Sequence, residues 1–236
     1  MEQSLLLITA LCCAFGMLVL GHRTWAAARR QRASRAGFLD VSRGLFAETR
    51  LRVEPSGFPR LAGRFESRAV DLRAVPDALT FRKLPALWLL ATLTEPQPLA
   101  GETRVMLRPS GLEPFSTFAT LPEEAPPPPG LPPGAVLRTT ARAHMPPASV
   151  LAGLAPLFAD PALKEVVFAP SGLRLVRLAE ETSRGAYLLF REVDLGREPA
   201  DPAKVRAMLD ALLKLAKDLA DATAGPTPDR PLVQPV

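Results

Sequence analysis

VVFAPSGLRLVRLA (Val166–Ala179) is the stretch from which the fold is read. Two apolar runs of strand-forming composition flank Pro-Ser-Gly at 170–172. The same triplet recurs at 55–57 in LRVEPSGFP and at 109–111 in RVMLRPSGLEPF. Proline pre-sets φ at the second position of a turn, and glycine accepts a left-handed backbone at the fourth. This is the chemistry of a type I turn closed by a G1 bulge, a common hairpin loop. The pattern predicts three hairpins, turning at Gly57, Gly111 and Gly172.

Two of the copies share more than the turn. From Pro55 the chain reads PSGFPRLAGRFESRAVDLRAV, and from Pro170 it reads PSGLRLVRLAEETSRGAYLLFREV. In both, a second strand leads to Ser-Arg (67–68 and 183–184) and then to a third strand. A helix-like run precedes each: 37–47, with Phe38, Leu39, Val41, Leu45 and Phe46, and 148–159, with Val150, Leu151, Leu154, Leu157 and Phe158. The chain thus reads as two α-β-β-β units, related by duplication or alike only as turn-rich meanders.

The segments around them complete the plan. LWLLATLTE (87–95) is too short to cross a bilayer and reads as a buried strand. LPEEAPPPPGLPPG opens a Pro-rich connector, extended and semi-rigid. Asp201-Pro202 supplies an N-cap and an N1 proline. Val205, Met208, Leu209, Leu212, Leu215, Ala216 and Leu219 then form one helical stripe. That stripe docks on the sheet; the alternative is a homo-oligomer joined through the 202–223 helix.

The totals direct attention to the N-terminus. Among 236 residues there are 29 Lys and Arg against 24 Asp and Glu, with a pI near 9.8. Arg23, Arg29, Arg30, Arg32 and Arg35 lie in one short segment free of acids, and without them the basic and acidic residues are equal in number. Residues 4–21, SLLLITALCCAFGMLVLG, carry no charge and extend about 27 Å as a helix, close to a bilayer's hydrocarbon core. Trp25 suits the interfacial belt, and the arginines place the rest of the chain in the cytoplasm. The expected location is the cytoplasmic (inner) membrane, single-pass, with the N-terminus outside. A cleaved signal peptide needs a basic start, whereas only Glu2 is charged there. The bias towards Ala, Arg, Pro, Gly and Leu is that of a GC-rich, bacterial genome.

Sites for chemistry are few. Both cysteines, Cys12 and Cys13, fall inside the apolar span, which leaves the remainder without a thiol. His22 borders the span and His144 sits among loop prolines, so neither a histidine metal site nor a Ser-His-Asp triad is expected. Of the carboxylate pairs Glu123/Glu124, Glu180/Glu181 and Glu192/Asp194, only the last would share a strand face, and it is read as a solvated edge. Arg82, Lys83 and Trp88 in FRKLPALWLL form the least ordinary segment, a strand entry or a membrane contact.

The expected fold class is α+β: an N-terminal transmembrane helix, then antiparallel β-meanders and hairpins packed with two or three helices. The expected division is 1–22 anchor, 23–36 basic juxtamembrane segment, 37–120 first unit with an extra hairpin, 121–147 connector, 148–224 second unit and 225–236 tail. No catalytic, cofactor-binding or metal-binding residue is assigned. The expected partners are the bilayer and a protein at the membrane, without nucleic acid. The expected function is a non-catalytic interaction or scaffold module; the alternative is a membrane-proximal ligand- or lipid-sensing domain.

Overall fold

The computed structural model describes residues 2–78, 84–183, 185, 187 and 195–224, with the backbone alone for 4–8. It shows an α+β chain with a long N-terminal helix, α1 (Glu2–Ala36). Nine strands then form one antiparallel sheet: β1 (Ala47–Val53), β2 (Pro59–Phe65), β3 (Arg68–Asp77), β4 (Ala86–Leu93), β5 (Thr103–Leu107), β6 (Glu123–Ala125), β7 (Ala135–Thr139), β8 (Leu163–Ala169) and β9 (Gly172–Glu181). Their spatial order is β1-β2-β3-β4-β9-β8-β5-β7-β6. Two further α-helices, α2 (Ala148–Ala152) and α3 (Pro202–Thr223), pack in the main core on one face of the sheet.

Two of the Pro-Ser-Gly triplets make hairpins. Gly57, at φ +84°, turns β1 into β2, and its N–H donates to the Glu54 carbonyl at 2.9 Å. Pro170-Ser171 joins β8 to β9 as a two-residue loop, with Ala169 opposite Gly172. Gly172 is required by a close approach as well: a Cβ there would sit 2.1 Å from the Leu93 carbonyl oxygen. Glu66 and Ser67, both at positive φ, make the following β2–β3 turn.

The middle triplet makes no hairpin. Gly111 has φ +81°, but β5 ends at Leu107 and is already flanked by β7 and β8, so neither of its edges is open to a hairpin partner. The Glu113 carboxylate instead accepts the Ser110 and Gly111 N–H groups and the Ser110 hydroxyl, closing a local loop. The loop from 109 to 122 then folds across the sheet.

Three further expectations change. The expected 37–47 helix is a 3-10 turn, Val41–Leu45, because α1 itself continues to Ala36 and buries Phe38 and Leu39 directly after its end. The second expected helix is split into α2 and a 3-10 turn, Leu157–Ala159, with prolines at 147 and 156 before each piece. The Pro-rich segment 121–147 is not only a spacer: it contributes β6 and β7 to the sheet. Where a third strand was expected after Ser183, Gly185 and Tyr187 are helical, the Tyr187 N–H donating to the Ser183 carbonyl at 3.1 Å; the rest of that stretch, the Glu192/Asp194 pair, Arg82, Lys83 and the tail lie outside the described residues.

The α3 stripe behaves as its spacing predicts. Asp201 caps the helix by accepting the Ala203 N–H at 2.9 Å. Val205, Met208, Leu209, Leu212, Leu215, Ala216 and Leu219 are all buried within the one chain. Leu212 is fully buried, so Leu212→Ala is expected to destabilise the fold by about 2–5 kcal/mol in chemical denaturation. The glycines give a sharper contrast. Gly172→Ala drives a methyl into a backbone carbonyl and is expected to cost about 3 kcal/mol. Gly111→Ala meets no atom within 4 Å and is expected to cost about 1 kcal/mol, from its backbone conformation alone. Equal losses at the two sites would contradict these assignments.

Candidate functional site

The sheet has two unlike faces. Alternation along the strands sends Leu61, Leu72, Leu89, Leu137, Val166 and Leu175 to the helix side, where they join the main core. The residues between them point the other way, and the strand register brings those of distant strands together.

Half of this second face is covered by the 109–122 loop. Phe115 and Phe118 pack with Leu90, Met106 and Val176, and the Phe115 ring lies 4.9 Å from that of Trp88. A polar cluster fastens the cover. The Ser116 hydroxyl donates to Glu165 Oε1 and accepts from Arg104 Nη1 at 2.7 Å and from the Phe118 N–H at 3.1 Å. Arg104 also pairs with Glu102 and lies 3.5 Å from Glu165. Glu165 is fully buried, and its Oε2 has no hydrogen-bond partner among the described residues. Burial pushes this carboxyl above the usual range, against the opposing pull of Ser116 and Arg104.

The other half is open and cationic. In register, Arg50 of β1 faces Ala62, and Arg52 faces Arg60, which in turn faces Arg73. Arg64 lies two residues beyond Ala62 on the same face. All five arginines are exposed. Glu48 and Asp77 lie near the ends of β1 and β3, and Asp71 sits between the arginines: Asp71 accepts Arg60 Nε at 2.7 Å, and this bond with its charge raises the Arg60 pKa. Arg73 pairs with Glu54 at 2.8 Å, and Arg64 donates to the Ser67 carbonyl. Arg50 and Arg52 make no hydrogen bond or ion pair among the described residues. On β9, beyond β4, Arg174 donates to Thr92 Oγ1 of β4 at 3.0 Å. Burial, followed by the charge of Arg104, lowers its pKa.

The membrane-flank residues are distributed along α1. Trp25 is exposed, with the Arg29 guanidinium 5.5 Å over its ring. Arg23, Arg30 and Arg32 are exposed on the same helix. Arg35 belongs to the folded domain instead: its guanidinium lies 5.6 Å over the Phe58 ring and its Nε donates to the Leu195 carbonyl at 3.3 Å. Phe38 meets Phe58 edge to face, and its carbonyl accepts the Ala200 N–H at 2.8 Å. The three turn glycines Gly57, Gly111 and Gly172 lie at separate turns. His144 is exposed in a 3-10 turn. Among the described residues no cluster of His, Cys, Asp or Glu has the arrangement of a metal site.

The buried carboxyl makes stability depend on pH. Protonated Glu165 favours the folded state. Its contribution is whole below the unfolded carboxyl pKa, about 4.3, and is lost as the pH rises through the raised folded value. Glu165→Gln is therefore expected to flatten the decline in stability over that window, as followed by denaturant midpoints at a series of pH values. An unchanged slope would assign the dependence elsewhere.

No family model matches the chain, and no curated protein or solved structure compared with it is similar.

Proposed function

We propose that this chain is a single-pass, membrane-anchored protein whose cytoplasmic α+β domain is a non-catalytic interaction module. One observation carries the reading: the apolar stretch and the folded domain are joined by one unbroken helix. Among the described residues, α1 alone is long and apolar enough to cross a membrane, and its apolar side chains are exposed. Leu11, Phe15, Leu18 and Leu20 are each more than 60% exposed, a large apolar surface to leave in water and an ordinary one to place in lipid. At the other end, Arg35, Phe38 and Leu39 bind the helix into the core.

The basic second half of α1 supports the cytoplasmic side for the domain, because arginines beside a span are retained there. Its unbroken helicity also changes how that segment meets the membrane. With 4–21 as the span, residues 22–36 rise from the surface and hold the sheet about 22 Å from the hydrocarbon core when the helix stands upright. The open arginine face supports interaction as the domain's role.

A ligand-sensing reading has its own observation. Between the sheet and α3 lies a groove of about 240 Å³ lined by Leu157, Leu163, Leu175 and Met208, with Arg177 and Lys204 among its walls. Its Arg177 is already held by Asp160 at 2.8 Å, so the groove offers less unpaired charge than the open sheet face.

Reporters fused after Val236 test the anchoring in living cells. Alkaline phosphatase is expected to stay inactive, and a fluorescent protein that matures only in the cytoplasm is expected to light up. Alkaline carbonate is expected to leave the full-length chain in the membrane pellet. Active phosphatase would put the domain on the other side, and release by carbonate would remove the spanning helix.

A further inference from the structure

The domain's concentration of uncompensated charge sits beside an open sheet edge. Among the described residues β1 is the last strand on its side, exposed except at the half-buried Thr49 and Leu51. Its outward N–H and C=O groups therefore have no neighbouring strand among the described residues. A bulge at Glu48 interrupts the start of β1, after which Arg50–Val53 pairs regularly with Pro59–Ala62. This regular stretch carries Arg50 and Arg52 on the second face, with Arg60, Arg64 and Arg73 behind them. Leu51 and Val53 point to the other face, Leu51 half-buried and Val53 49% exposed.

We propose that the outer edge of β1 takes up an extended acidic segment of a partner protein as an added strand, its carboxylates at alternate positions lying over Arg50 and Arg52. This rests on the reading of the domain as an interaction module and names the partner's chemistry. Residues directly opposite on paired strands have Cβ atoms about 5 Å apart, within reach of a guanidinium–carboxylate bond. The residue between the two carboxylates faces Leu51 and the one beyond them faces Val53, so the segment that fits alternates acidic and apolar side chains. Main-chain bonds supply attachment, and the side-chain alternation supplies selection.

Other polyanions fit less well. A nucleic acid has no main chain to pair with the edge, and Trp88, the aromatic ring on this face, is covered by Phe115. With α1 upright, the end that enters the domain stands about 22 Å from the hydrocarbon core, and the intervening headgroup layer still leaves more than a screening length of about 8 Å at physiological salt. Charged edges also keep sheets from pairing with themselves. Here the same arginines repel a second β1 edge and attract an acidic strand.

The test uses the full-length chain in phosphatidylcholine nanodiscs and a fluorescent peptide of alternating Glu and Val. Binding is expected, weakening with salt and by about tenfold or more in the Arg50→Glu/Arg52→Glu double variant. Both side chains are exposed, so the variant's thermal melt is expected to match the parent's; Arg50→Gln/Arg52→Gln repeats the test without charge reversal. Arg206→Glu, on α3, is expected to bind like the parent. N-methylation of alternate peptide residues is expected to weaken binding comparably, because it removes main-chain donors. Equal binding of the N-methylated peptide, or of a peptide with Glu and Val in separate blocks, would overturn strand addition. So would no binding, or a preference for oligo-dT or phosphatidylserine vesicles of matched charge. Loss of peptide binding by a chain that stays with membranes in carbonate removes this inference alone. A chain that grips the peptide yet is released by carbonate removes the anchor alone.

Discussion

The sheet depends on where its last hairpin goes. β4 and β5 are consecutive in the chain but not neighbours; β9 and β8 lie between them. β9 bonds β4 along its length, and β8 bonds β5, so this hairpin alone joins the first four strands to the last three. The junction is tight. Gly172 lies against the Leu93 carbonyl, the Gln97 N–H donates to the Pro170 carbonyl, and the Thr182 N–H donates to the Pro85 carbonyl. Until the hairpin enters, the core side is two separate apolar patches, and α3 has only part of its seat. Such pairing across distant sequence is costly in loop closure and slow to form.

The same insertion explains what was legible in the sequence. Pro-Ser-Gly turns at 57 and 172 announce themselves because a turn is local chemistry. The third triplet carries the same letters and lacks only an open strand edge, which depends on β7 and β8 arriving from elsewhere. The α3 stripe was readable because one helix contains the whole pattern. β6 and β7 were hidden by the prolines beside them, being only three and five residues long.

The second face was the least legible. Arg50, Arg52, Arg60, Arg64 and Arg73 become neighbours only through the register of three strands. Counted along the chain beyond the basic segment, the charges cancel; placed on the sheet, they separate. The fastening of the 109–122 cover is equally non-local, since Ser116 is 12 residues from Arg104 and 49 from Glu165. Trp88 was read as part of a strand entry or a membrane contact; it lies in β4, and Phe115 packs against it from that cover.

The unbroken run of α1 into the clamp at Arg35 has a rotational consequence. A flexible tether would leave the domain free to face any direction, but a helix fixed at both ends sets an angle. One residue added or removed between Gly21 and Arg35 would turn the arginine face about 100° around the helix axis while moving it only about 1.5 Å along that axis. Four residues would bring the heading back to within about 40°, with a lift of about 6 Å. If the domain is held in a membrane beside a partner, as proposed, the number of residues in this stem is an angular setting, and its periodicity is that of the α-helix.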